Sequence, residues 1–300
     1  MRAATNLLDV NDHDAAGSRR TFLLGTGAQK AGTRWLYRYL KESPEFVAGY
    51  RKEYHVFDTL DLASQSWSRD RIIDLAESAL SDLREGRPAD AAVLHRMSMY
   101  ADPAYYYDYF DALLRKDPHR HVTADLTPAY ALLPVERLSE IRREFAARGV
   151  RTVALFLMRD PVDRIWSQFR MQQKRSGEPN DASPETRVLE QYAEQQYASR
   201  SEYHHTIGAL DSAFGDAVHY TFYEQLFTGE SLAALCAAVG IPMHAPEYDV
   251  RHNHVPTDAT LPESTERLVA THLSEVYRRV ADRFPDVDLP AIWPSARYVL

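Results

Sequence analysis

The sequence predicts an α/β protein: a parallel β-sheet flanked by helices on both faces. Three observations carry that prediction. Short apolar runs alternate with stretches of helical spacing along most of the chain, the pattern of repeated strand–helix units. One run, RTVALFLMR at 151–159, is the best buried strand in the sequence. Two of the junctions between a strand and its helix carry glycine or proline where the chain must turn.

The first strand is TFLLG, from Thr21 to Gly25. A helix beginning near Ala31 follows, with Trp35, Leu36, Tyr39 and Leu40 on one face. HVTADLT at 121–127 is the second strand, stopped by Pro128. The next helix runs from Pro134 to Gly149, with Val135, Leu138, Ile141 and Phe145 at helical spacing. After the strand at 151–159, Pro161 takes the first position of another helix. AVHYTFYE at 217–224 is the fourth strand, and ESLAALCAAVG and ESTERLVATHLSEVYRRVADRF are late helices. Residues from about 60 to 120 are rich in helix signals and tyrosine, as in PAYYYDYF. No segment reads as a linker. The expectation is a flexible tail over residues 1–20 and one domain over 21–300.

Composition narrows the function classes. The chain has 300 residues, 45% hydrophobic and 26% charged, enough for a sizeable core. A net charge of −8 argues against nucleic acid or an anionic membrane as a default partner. The lone Cys236 lies in an apolar run and reads as a small buried hydrophobe. No Cys/His set has zinc spacing, so no metal is expected. No apolar run is long enough for a membrane span, and the polar start lacks the apolar stretch of a signal peptide. These features point to a cytoplasmic protein.

The stretch GTGAQKAGTRW, from Gly25 to Trp35, looks like a P-loop, yet Lys30 precedes Gly32 and Thr33 instead of following the last glycine. The physical ingredients survive this reordering. A strand ends in glycines, and the free amides of a helix start, with its dipole, favour an anion. Lys30 adds a full charge, Gly32 permits close approach, and Thr33 and Arg34 add donors. A second junction, LFLMRDPVDRIWSQF at 155–169, sets Arg159 at the carboxyl edge of a strand, where parallel sheets bind ligands. Ser167 follows on the helix. A helix cap made by Asp160 and Arg164 accounts for those two residues but leaves Arg159 and Ser167 unexplained. Together Arg159 and Ser167 fit a second phosphate.

The pair QKAGTRWL and RDPVDRIWSQF resembles the sulfotransferases that use 3′-phosphoadenosine-5′-phosphosulfate (PAPS). In that family, lysine before glycine–threonine is the usual order. The resemblance implies the sulfotransferase fold. It assigns the 5′-phosphosulfate to Lys30, Ala31, Gly32, Thr33 and Arg34, and the 3′-phosphate to Arg159 and Ser167. KEYHVFD at 52–58 and DLTPAYALLPVERLSEI are similar to segments of the heparan-sulfate 3-O- and N-sulfotransferase branch. There the pattern E-x-H-x-x-D supplies the base toward the acceptor, which falls on Glu53, His55 and Asp58. His55 either orients Glu53 or is itself the base. The segment RHNHVPTDATLP matches loosely a loop that closes over the nucleotide, with Arg251 and Asn253 as candidates. The membrane anchor of Golgi members has no counterpart here, which fits a cytoplasmic, bacterial enzyme.

Sulfuryl transfer is mainly a matter of positioning and charge stabilisation, so Lys30 and the loop amides stand where charge would grow on the leaving phosphate. Two competing classes are a P-loop kinase, which needs the GK[ST] order and a magnesium-binding aspartate, and an inactive nucleotide-binding scaffold, which would not need Glu53. The acceptor branch departs in one place: where the heparan-type pattern reads EKSPAY, this chain reads DLTPAY, with Leu126 at the lysine's position. That loss and the net charge of −8 favour a neutral or weakly charged acceptor, a saccharide, glycolipid or small metabolite, over a polysulfated chain.

Overall fold

The computed structural model describes residues 20–176, 183–246 and 260–300. Four strands, β1 (Thr21–Gly27), β2 (Val122–Leu126), β3 (Arg151–Met158) and β4 (Val218–Phe222), form one sheet in the order β2-β1-β3-β4. All three pairings are parallel. Thr21 stands opposite Val122 on one side and Arg151 on the other, so β2, β1 and β3 start level and end at a common edge. Every residue of β1 and β2 is buried, as expected for a parallel sheet covered on both faces.

The helices among the described residues are α1 (Thr33–Glu42), α2 (Phe57–Asp61), α3 (Ser66–Arg84), α4 (Ala91–Ala101), α5 (Ala104–Arg115), α6 (Val135–Ala147) and α7 (Pro161–Ser176), then α8 (Pro184–Gln191), α9 (Gln195–Ala198), α10 (Tyr203–Phe214), α11 (Gly229–Val239), α12 (Glu263–His272), α13 (Ser274–Arg283) and α14 (Leu289–Ile292). The sequence reading locates all four strands. It differs at boundaries. The first strand continues to Gly27, and its helix begins at Thr33 instead of Ala31, because Gly32 takes a left-handed turn before the helix can start. The late apolar stretch breaks at Leu273 into α12 and α13.

The tyrosine-rich segment supplies core. Tyr106, Tyr107 and Phe110 of α5 are buried and pack with Phe22 and Phe145 through edge-on and stacked rings. Such pairs add about 0.5–1.5 kcal/mol each beyond area burial. Cys236 is buried, as its apolar run predicts.

Two buried polar ties fix the β3–α7 junction. Asp160 caps α7 by accepting from Val162 N at 3.0 Å, and also accepts from Ser295 N at 3.0 Å and Tyr277 Oη at 3.2 Å, which binds the C-terminal segment to it. Arg164, expected to share that cap, does not. It is fully buried, donating to Ser201 Oγ, Gln168 Oε1 and the Tyr197 carbonyl at 2.7, 2.8 and 2.7 Å, so it braces the segment after α9. Glu224, just past β4, accepts from Asp160 N and from the indole N–H of buried Trp293, each at 3.1 Å.

Burial outweighs those hydrogen bonds and pushes the Glu224 carboxyl from 4.5 up to about 7. Below 4.5, folded and unfolded chains both carry the proton; between 4.5 and 7 only the folded chain does. Its contribution to stability is therefore full at low pH and is lost as pH rises through that window. Glu224→Gln removes the titration. The difference in thermal midpoint between native protein and variant should accordingly change with pH across this window, to the native protein's disadvantage as pH rises. A constant offset in a pH series of melting curves would show that Glu224 does not titrate there.

Candidate nucleotide and acid–base site

The site is built where β1 ends. Among the described residues, the non-glycine residues with positive φ are Lys30 at 72° and His55 at 53°. Such backbone costs roughly 1–3 kcal/mol per residue and persists only where its surroundings hold it, often at functional sites. Both residues are candidates from the sequence. Lys30 is held from outside its own segment: Arg159 Nη1 donates to its carbonyl at 3.0 Å. That hydrogen bond joins the two motifs, which lie far apart in the chain.

Gly32 is the residue before α1, at φ 88°. A Cβ there would meet Tyr223 Cδ2 at 3.0 Å and Leu226 Cδ2 at 3.1 Å, so glycine is required by conformation and by contact. Tyr223 in turn lies under Arg159, whose guanidinium carbon is 4.7 Å from the ring centroid. No side chain caps α1, and no acid stands in its first turn. By contrast Asp90, Ser183 and Thr228 cap α4, α8 and α11. The start of α1 keeps the amide donors and the positive dipole end that an anion needs.

The other predicted residues fall out as follows. Ala31 is buried and its amide is used within the turn, on the Ala28 carbonyl at 3.2 Å, so Ala31 shapes the loop. Thr33 is buried and Arg34 exposed. Arg159 is mostly buried; its Nη2 lies 3.4 Å from Asp163 Oδ2, and its Nε is buried with no partner. An unpartnered donor on a buried guanidinium suits an anionic ligand. Arg159, Asp163 and Ser167 follow at four-residue intervals, and Ser167 is half-buried on α7. Arg251 and Asn253 lie outside the described residues.

Glu53 and His55 sit on a segment that runs beside β2: Val47 N donates to the Val122 carbonyl at 2.8 Å, and Leu126 N to the Lys52 carbonyl at 2.9 Å. Tyr54 is buried, and its carbonyl accepts from Arg96 Nε at 2.6 Å. Tyr100 Oη holds the His55 carbonyl at 3.0 Å. The imidazole lies between two carboxylates, with Nδ1 2.7 Å from Asp58 Oδ2 and Nε2 3.4 Å from Glu53 Oε2. Burial opposes charge on His55, but the hydrogen bonds and charges of Asp58 and Glu53 prevail and raise it to about 9. The two carboxylates thus favour the protonated imidazole, which suits an orienting role beside Glu53. Burial alone would raise Glu53; His55 and Lys52 together outweigh it and lower the carboxyl to about 2.

Sequence reasoning missed three features. Lys52, given no role by the sequence, reaches across the site: Nζ is 2.6 Å from Glu53 Oε1, 3.0 Å from Thr33 Oγ1 and 3.2 Å from the Leu126 carbonyl. Leu126 itself is core, its side chain lying over Gly25 at the sheet, so the apolar side chain does not stand at the reaction centre. Tyr223, in the predicted fourth strand, carries no signal in the sequence that it would sit between Gly32 and Arg159. Asp125, an alternative base, is fully buried and accepts from Tyr54 N, Thr127 Oγ1 and Tyr106 Oη. It holds the Glu53 segment in place and is closed to an acceptor.

A turn with free amide donors at the carboxyl edge of a parallel sheet, beside a cluster of titratable groups, is the arrangement expected of a nucleotide-binding group-transfer site. The sequence matches the sulfotransferase family over residues 23–245, and the chain belongs to that family. Its structure is similar to a sulfotransferase from Alicyclobacillus acidocaldarius, with a TM-score of 0.55 at 17% identity over 88% of this chain and 94% of that one. A sulfotransferase domain from the curacin biosynthetic pathway aligns at a TM-score of 0.44 and 16% identity, over 85% and 97% of the two chains. No curated protein matches the chain. The architecture is the sulfotransferase fold.

Gly32→Ala tests the turn. The added methyl faces Tyr223 in a backbone conformation that costs alanine about 1 kcal/mol or more. Calorimetry with 3′-phosphoadenosine 5′-phosphate should show affinity down by at least about tenfold, beyond the modest drop in thermal midpoint. Native-like nucleotide affinity in a folded variant would place the anion elsewhere.

Proposed function

We propose that this protein transfers a sulfuryl group from PAPS to a hydroxyl of its acceptor, with Glu53 as general base. One observation carries this reading: Lys52 spans from Thr33, at the head of α1, to Glu53, so the base candidate stands one side chain away from the anion-binding turn. PAPS supplies an activated sulfuryl group on a phosphate leaving group. The residues present fit it. The uncapped start of α1 and Lys30 face the 5′-side, and the unpartnered Arg159 Nε, with Ser167, serves the 3′-phosphate. Lys30 and the loop amides stabilise charge on the leaving phosphate, where prearranged donors are most effective. His55, anchored by Asp58, fixes the orientation of Glu53.

The combination of Glu53, His55 and Asp58 supports placement near the heparan-type branch, but the acceptor we favour is neutral or carries little charge: a saccharide, a glycolipid or a small metabolite. The net charge of −8 would repel a long polyanion. No metal is assigned a role; among the described residues no group of three or more His, Cys, Asp or Glu is placed to hold one. No described helix is long and apolar enough to cross a membrane. The proposed setting is the cytoplasm, in keeping with a single cysteine.

Nucleotide choice tests the donor side. 3′-Phosphoadenosine 5′-phosphate should bind far more tightly than AMP, and Arg159→Ala should erase most of that preference, since charge-assisted hydrogen bonds contribute about 1.5–3 kcal/mol each. Equal calorimetric affinities of the native protein for both nucleotides would rule the assignment out.

Glu53→Gln tests the base. It keeps the shape and removes the proton acceptor. With labelled PAPS and a panel of saccharides, phenols and lipids, turnover should fall by about 10² or more while nucleotide affinity holds. Near-native turnover would move that role to His55 or, with rearrangement, to the buried Asp125.

A further inference from the structure

Lys52 has a geometry that holding Glu53 alone does not explain. Its three N–H donors are matched to three acceptors: the Glu53 carboxylate, the Thr33 hydroxyl and the Leu126 carbonyl. Only one of the three is an anion. The side chain is 15% exposed, and burial lowers the pKa of its ammonium, with the Glu53 charge and hydrogen bond acting against burial and Arg34 acting with it. A largely buried cation is costly to keep without anions near it, and here one carboxylate in contact and the charge of Asp125 supply them. The place it occupies lies between the head of α1 and the base.

Resting Glu53 is also poorly suited to its role. A carboxylate held at about 2 by His55 and Lys52 is a weak proton acceptor. It strengthens if one of its cations is drawn elsewhere, and of the two only Lys52 also touches the anion-binding turn.

Resting on the function proposed above, we propose that Lys52 is a catalytic residue: it hydrogen-bonds the sulfuryl group in flight and transfers its charge from Glu53 to that group as the donor seats. In the step, a bond forms between the acceptor oxygen and sulfur. The bond from sulfur to the 5′-phosphate oxygen breaks, and its electron pair stays on that oxygen. The acceptor's proton passes to Glu53, and Lys52 keeps its own. Donor binding thereby both fills the anion site and releases the base.

The test uses Lys52→Met, with Lys52→Gln as a second variant should the first not fold, both checked by thermal melting. Calorimetry without acceptor gives a readout apart from turnover. Affinity for 3′-phosphoadenosine 5′-phosphate should stay within about threefold of native, while affinity for PAPS relative to it should drop by about tenfold. In turnover, with the best acceptor of the panel or with water, Lys52→Met should lower kcat by about 10²–10³, and Lys52→Arg should recover part of it. A double-mutant cycle separates direct action from action through Glu53. In the Glu53→Gln background, Lys52→Met should still cost most of its factor. An unchanged PAPS preference, or no further loss in that background, overturns the proposal and makes Lys52 a holder of Glu53. PAPS left intact by the native protein under every condition sinks the sulfuryl-transfer reading itself, an outcome distinct from active native protein indifferent to Lys52.

Discussion

The left-handed turn from Lys30 to Gly32 is the constraint on which the site depends. It is costly backbone, and its cost is offset from the neighbouring strand: Arg159 grips the Lys30 carbonyl, and Tyr223 fills the space a side chain at Gly32 would need. Arg159 is therefore both a tie and a ligand candidate. Its Nη1 is committed to the turn and its Nε is not. The two motifs are mechanically one: on the proposed nucleotide assignment, an anion drawing on Arg159 would also act on the loop at Lys30. The ties behind Arg159 are buried and polar. Tyr203 Oη holds its carbonyl at 2.7 Å, and Asp160 and Glu224 secure the next peptide against the C-terminal segment. Such networks give geometric definition when every member is satisfied.

On the acceptor side, charge is arranged in a row. Asp58, His55, Glu53 and Lys52 alternate in sign, each within hydrogen-bond or ion-pair distance of the next. Alternation offsets the cost of burying charge, favouring the protonated form of His55 and the ionised form of Glu53. On the proposal for Lys52, drawing that cation toward an anion at the turn would leave His55 as the cation beside Glu53. The positive φ of His55 is what turns its ring between the two acids, and Thr59 and Tyr100 hold its carbonyl in that strained state.

Much of this was legible in the residues. Strands β2 and β3 are apolar runs ended by a breaker, and the sheet follows from their alternation with helices. The lysine–glycine–threonine order, with the Arg159 motif, pointed to the sulfotransferase family before any coordinates. What stayed hidden depends on tertiary contact. Arg164 at the fourth residue after Asp160 looks like part of a helix cap, yet the helix turns it inward against Ser201 and the Tyr197 carbonyl. Leu126 sits in a motif otherwise tied to the acceptor side, and alternation along β2 turns its side chain onto Gly25. Lys52 lies next to Glu53 in sequence, but nothing local shows that its amine would meet Thr33.

Strand order explains why these pieces meet at all. The chain leaves β1, crosses to β2 on one side, then jumps back past β1 to β3 on the other. Neighbouring connections diverge at the carboxyl end of β1, the switch point where open parallel sheets leave a crevice. The turn at Lys30 occupies that crevice. Its two flanks are fixed by the same topology: the segment bearing Glu53 runs along the outer edge of β2, and Arg159 closes the end of β3. The Glu53 segment, the Lys30 turn and Arg159 therefore meet at the carboxyl ends of three neighbouring strands. On the function proposed above, the acceptor would reach a group at the turn from the β2 side and the nucleotide would be anchored from the β3 side. That arrangement would suit an in-line transfer, in which the entering and leaving oxygens must stand on opposite sides of the group that moves.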